Sequence, residues 1–171
     1  MMRLIGFRRL AIAAVVAVTL GGCSTKSAAP TGEPDRAKAD EAAIRGTLSD
    51  TEQRINQGDL SFVDVFAEDA VIIVPSSPNI IGFDAIRALY ADTMEQASMK
   101  VHFLTEEIVV AGDFAYERGT YTLRLSDRSS GEVLQDVKNK HVHIFKREAN
   151  GAWKTWRMMV SSGEPAPART N

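Results

Sequence analysis

The chain has 171 residues, 44% of them hydrophobic, with a single cysteine and a formal charge of −2. That length and composition suit one ordinary domain with its own core. The near-balanced charge carries no excess that would suggest nucleic-acid binding, and one cysteine excludes an internal disulfide framework.

The first residues read as an address. Arg3, Arg8 and Arg9 form a positive leader, and Leu10 to Leu20 ("LAIAAVVAVTL") is an apolar run. The run is too short to span a bilayer and has the shape of a secretion signal. It leads into "LGGC", Leu20 to Cys23, which resembles the lipobox of bacterial lipoproteins. The resemblance implies a signal peptide over 1–22, cleavage before Cys23, and acylation of that thiol. Each buried methylene of an acyl chain contributes roughly 0.8 kcal/mol, so a multiply acylated Cys23 anchors firmly to a membrane. Ser24 rather than Asp at the next position implies the outer membrane, with the domain facing the periplasm. Removing three arginines and no acid leaves the remainder three charges more acidic. Residues 23–34 ("CSTKSAAPTGEP") are small, polar and proline-bearing, and are expected to form a flexible tether.

From Asp35 the pattern changes, and residues 35–163 are expected to form the folded domain. Ile44, Leu48, Thr51 and Ile55 recur at helical spacing up to Gly58, which predicts an amphipathic helix with a glycine stop. "LSFVDVFAED" predicts a second short helix, and "AVIIVP" a buried strand ended by Pro75. "GFDAIRALYADTMEQA" places Ile86, Leu89, Tyr90 and Met94 on one helical stripe. After Ser98 the period changes to two. "KVHFLTEEIVVAGD", "FAYERGTYTLRLSD", "VLQDVKNKHVHIFKRE" and "AWKTWRMMVSS" predict four strands joined by short turns, hence antiparallel neighbours. Helices followed by a long meander form an α+β domain in which a curved sheet wraps over the helices. Residues 164–171 read as a loose tail.

This order of elements resembles the nuclear transport factor 2-like superfamily, whose cone-shaped α+β fold includes ketosteroid isomerases and polyketide cyclases. The resemblance rests on "INQGDLSFVDVFAEDAVIIVP", "IIGFDAIRALY", "VVAGDFAYERGTY" and "KHVHIFKREANGAWKTW", taken in order over Ala37 to Ser162. It is nearest to a bacterial branch of often exported domains. The C-terminal "GAWKTWRMMVSSGEPAP" is also similar to the association domain of calcium/calmodulin-dependent kinases. The superfamily implies a cone pocket and often a homodimer formed through the convex sheet face, but one fold serves many unrelated activities.

The isomerases of this superfamily use a carboxylate base, a tyrosine and a protonated aspartate. The matching positions here are Val74, Thr51 and His143, so ketosteroid isomerase chemistry is not expected. The same alignment has His141, His143 and Phe145 line the open mouth of the cone, since residues two apart in a strand share a face. Trp156, Met158 and Val160 would follow on the last strand. For the strand at 114–126 two phases are open: Tyr116 and Arg118 inward, or Ala115, Glu117, Gly119, Tyr121 and Leu123 inward. The ligand-binding set expected here takes the first: Tyr116, Arg118, His141, His143, Trp156 and Met158. His141 and His143 have a spacing common among metal ligands and His102 is a third histidine, but no Asp, Glu or Cys completes a familiar ligand motif, so no metal or cofactor is expected. A serine-hydrolase elbow is missing as well.

Three readings of function follow. The first is a membrane-tethered domain that binds a small, partly apolar ligand in its cone. The second is an enzyme on a small metabolite with His143 as general acid or base. The third is a dimeric assembly module whose cone is filled by its own side chains.

Overall fold

The structure, a computed structural model, describes residues 33–162. The expected signal peptide, Cys23, most of the expected tether and the expected tail at 164–171 lie outside the described residues. The elements are α1 (Glu33–Gln57), a 3-10 helix (Leu60–Val65), β1 (Phe66–Ile73), β2 (Ile80–Ile81), α2 (Phe83–Gln96), β3 (Ala97–Ala111), β4 (Phe114–Asp127), β5 (Val133–Arg147) and β6 (Trp153–Ser162). The six strands make one sheet in the order β2-β1-β6-β5-β4-β3. β1 and β6 run parallel and every other neighbouring pair antiparallel. Among the described residues no helix is long and apolar enough to cross a membrane.

The helical spacing in α1 has its expected effect: Ile44, Leu48 and Ile55 are buried against the sheet. The helix stops at Gly58, whose φ of 74° suits a residue without a Cβ. Asp59 then caps the 3-10 helix, its carboxylate accepting from the Ser61 amide at 2.9 Å. The second helix predicted over Leu60 to Asp69 is therefore only this one short piece, and from Phe66 the chain is already strand. β2, a two-residue strand, has too little pattern to be read from sequence. On α2, Ile86 and Met94 are buried as expected, whereas Leu89 is exposed.

Two side chains of α1 fix the helix to the sheet. The Asn56 amide exchanges hydrogen bonds with the backbone of Val101, at 2.8 and 2.9 Å. The Glu52 carboxylate accepts from the Phe103 amide at 2.8 Å. β3 is an edge strand, so these contacts occupy backbone groups that would otherwise be open to pairing. Farther along α1, Arg147 of β5 forms a bidentate pair with Asp40 at 2.7 and 2.5 Å, and its guanidinium stacks on Trp153. The helix thus covers one face of β3 to β6, and that choice decides which side chains are interior. The core consists of two apolar clusters, one around Phe62, Val63, Phe66 and Ile86, the other around Ile44, Leu48, Phe145 and Trp153.

Candidate functional site

Three ionisable side chains are buried together on the concave face of the sheet. β4 and β5 pair so that Glu117 stands opposite His143 and Gly119 opposite His141. Strand alternation turns Ala115, Glu117 and Gly119 inward with His141, His143 and Phe145. Glu117 is 0% exposed, His141 3% and His143 5%. Nε2 of His141 lies 3.0 and 2.9 Å from the two oxygens of Glu117. An ionised carboxylate only accepts, so that nitrogen carries the proton in this arrangement. Nδ1 of His143 lies 3.4 Å from Oε2 of Glu117, within ion-pair range but without hydrogen-bond alignment. The two imidazoles stack with centroids 4.7 Å apart, and Phe103 presents its edge to both.

Gly119 makes this packing possible. A bulge in β3 between Thr105 and Glu107 draws the Leu104 carbonyl over it, and a Cβ there would sit 2.1 Å from that oxygen. Only glycine allows so close an approach of two strands.

Burial governs the protonation of the group. Desolvation depresses His143 to about 4, reinforced by the neighbouring His141 and opposed by Glu117. For Glu117, burial pushes the carboxyl up. The His141 hydrogen bond, the imidazole charges and the Thr105 hydroxyl outweigh it and hold the group below its ordinary value. At neutral pH the site therefore contains a carboxylate and a neutral His143. Nδ1 of His141 and both ring nitrogens of His143 have no hydrogen-bond partner among the described residues.

His143 also lines a cavity of about 40 Å³, walled by Thr51, Phe62, Tyr90, Phe103 and Met158 among others. A water molecule occupies about 30 Å³ of liquid, whereas pockets for drug-sized ligands run to about 300 Å³ or more. The interior of the cone is therefore occupied chiefly by the protein's own aromatic side chains. A larger open groove of about 610 Å³, bordered by Asp64, Glu68, Asp69, Lys146 and Lys154, includes none of the three buried polar residues.

The sequence profile of the SnoaL-like domain matches residues 48–158, which include the histidine strand and most of the sheet. The chain belongs to the SnoaL-like domain family. This SnoaL-like domain is similar in fold to a ketosteroid isomerase-like protein from Erwinia carotovora, with 21% identity and a TM-score of 0.62 over 77% of this chain and 98% of that one. It is likewise similar to a nuclear transport factor 2-like superfamily protein from Salmonella enterica, with 14% identity and a TM-score of 0.66 over 78% and 99%. A third relative in fold is ActVI-ORFA from Streptomyces coelicolor, with 15% identity and a TM-score of 0.60 over 73% and 98%. At these identities the likeness is one of fold. No curated protein matches the sequence. The nuclear transport factor 2-like architecture expected from the motifs is the one found.

Within the SnoaL-like domain the sequence-predicted residues divide by face. His141, His143 and Met158 point inward as expected, with Met158 opposite His143 and lining the cavity. Tyr116 and Arg118 do not. They lie on the convex face, where Arg118 pairs with Glu106 and Glu107 at 2.5 and 2.9 Å and the Tyr116 hydroxyl donates to Glu107. Strand β4 takes the other of the two phases, because α1 covers the face that carries Ala115 and Glu117. Trp156 does not line the cavity either. It is the extra residue of a bulge opposite Ile144 and Phe145, and its indole is held by Asp69 and Phe114 rather than in the cavity. Thr51 borders the cavity, but its hydroxyl is engaged by the Thr47 carbonyl at 2.7 Å. Val74 packs against the core and offers no base. The residue missed by sequence reasoning is Glu117, twenty-four positions before His141. The available signal was the alternative phase of β4 combined with antiparallel pairing.

Proposed function

We propose that this SnoaL-like domain binds a small ligand inside its cone, through His143 and the Glu117–His141 pair. One observation carries the reading: three ring nitrogens without partners, buried beside a cavity that His143 itself borders. A buried polar atom left unpaired costs about 1–3 kcal/mol, so the arrangement favours a polar guest. The guest is compact, or it enters as Phe62, Tyr90, Phe103 and Met158 rotate aside. Ketosteroid isomerase chemistry is not part of this reading, because Val74 cannot take a proton. The domain acts at the periplasmic face of a membrane, tethered through acylated Cys23. The test is native mass spectrometry of the protein isolated from its own cell envelope. A co-purifying small molecule that is lost in His143→Phe supports the reading, and a protein that carries none, and whose ring resonances ignore the envelope extract, overturns it.

A second reading, an acid–base enzyme, is favoured by the His141–Glu117 hydrogen bond, which orients one imidazole beside the other. With its pKa near 4, His143 serves there as a proton acceptor rather than a donor at neutral pH. The expected homodimer has a candidate surface in either case. The convex face exposes Val109, Phe114, Tyr116, Val142 and Met159 on four adjacent strands.

A further inference from the structure

We infer that Glu117, His141 and His143 form a binding site for one divalent transition-metal ion. One ligand atom from each residue lies within 4.8 Å of the others. Bonds of about 2.0–2.2 Å to a shared ion separate ligand atoms by roughly 3–3.5 Å. The observed Nε2 to Oε2 and Nδ1 to Oε2 distances, 2.9 and 3.4 Å, fall near that range. Two imidazoles and a carboxylate are the donor set that zinc, cobalt and ferrous iron share, and thiolate-preferring ions find no cysteine at this site among the described residues.

The hydrogen-bonding account of the same three residues is incomplete, and that separates this cluster from an ordinary structural network. The His141 N–H and the Thr105 hydroxyl serve Glu117, while His143 is nine-tenths buried with neither nitrogen engaged. An ion at the centre would use the Glu117 charge, Nδ1 of His143 and Nε2 of His141 together. Binding at Nε2 requires only that the His141 proton move to Nδ1, which is itself without a partner. The small cavity beside His143 has room for a water as a further ligand. Phe103 and Phe145 pack on the rings and exclude bulk water, which strengthens attraction between the ion and the carboxylate. Because the site is closed, the ion is taken up during folding or local opening.

The experiment uses the full-length chain without a polyhistidine tag, unfolded in chelator and refolded with Co²⁺ or Zn²⁺ alone. Expected results are one equivalent of ion retained after gel filtration, visible d–d bands for Co²⁺, and two paramagnetically shifted imidazole N–H resonances. Glu117→Gln should raise the Kd at least about 100-fold, since even outer-shell losses in metal sites cost 10–100-fold. His102, which meets Glu52 at 3.1 Å on the surface, is the control, and His102→Ala should leave binding unchanged. The wild-type spectra decide the matter even if Glu117→Gln does not fold. No retained ion, no shifted imidazole resonances, or binding abolished by His102→Ala would each overturn the inference.

Discussion

Glu117 and His141 meet wholly inside the protein, with Oε2 at 2.9 Å from Nε2 and both side chains 0% exposed. Such a pair is expensive to break and cheap to replace as a unit. In metal-free protein, His141→Leu strands a buried carboxylate and should cost about 3–5 kcal/mol by urea denaturation. Replacing both residues by leucine should recover much of that loss. A double variant less stable than the single would contradict this account of the pair.

Acid should destabilise the metal-free domain earlier than its surface carboxylates alone would. His143 has an ordinary value of 6.5 and is depressed to about 4 on folding. The groups facing it are Glu117, His141 and Tyr90, whose hydroxyl is pushed up to about 12 and stays neutral. Between these two His143 values the unfolded chain binds the proton and the folded one does not, so stability rises with pH. The contribution is fully present above about pH 6.5 and falls by about 3 kcal/mol as pH drops to 4. His143→Phe should flatten the stability profile over that window, and an unchanged slope would show that His143 titrates normally.

Gly119 tolerates no side chain. In Gly119→Ala the new Cβ would meet the Leu104 carbonyl oxygen at 2.1 Å, and this neighbour is backbone in a paired strand. Separating β3 from β4 there should cost about 1–3 kcal/mol or more and lower the melting temperature. Gly112, with open space around its Cβ position, is the comparison, although its φ of 63° still penalises alanine modestly. Equal effects at the two glycines would count against the close approach.

If the convex face joins two copies, a charge at its centre should separate them. Val142 and Met159 sit opposite each other on β5 and β6, 38% and 50% exposed. Val142→Glu should convert a dimer to a monomer in light scattering, with the fold retained in circular dichroism. A wild-type protein that is monomeric at micromolar concentration removes this surface from consideration.

Cys23→Ser should abolish incorporation of labelled palmitate and leave an unprocessed or released product. Unaltered labelling together with unaltered membrane fractionation would refute the lipobox reading.

Much of the fold could be read from the sequence by itself. The spacing of Ile44, Leu48 and Ile55, the change of period after Ser98 and the short turns determine helices and meander, because these patterns report local geometry. The inward direction of His141 and His143 was legible for the same reason, once one position in the cone was assigned. The tertiary structure alone decided the rest. Alternation in β4 makes Tyr116 and Arg118 share one face and Ala115 and Glu117 the other, and both sets are chemically plausible linings. Which face becomes interior depends on where α1 lies, and Asp40, Glu52 and Asn56 settle that through contacts with β3 and β5 distant in sequence. The volume of the cone was equally out of reach, because it depends on how Phe62, Tyr90 and Phe103 from separate elements meet. A carboxylate joins two histidines here because two strands pair in one register, and register is a property of the assembled sheet.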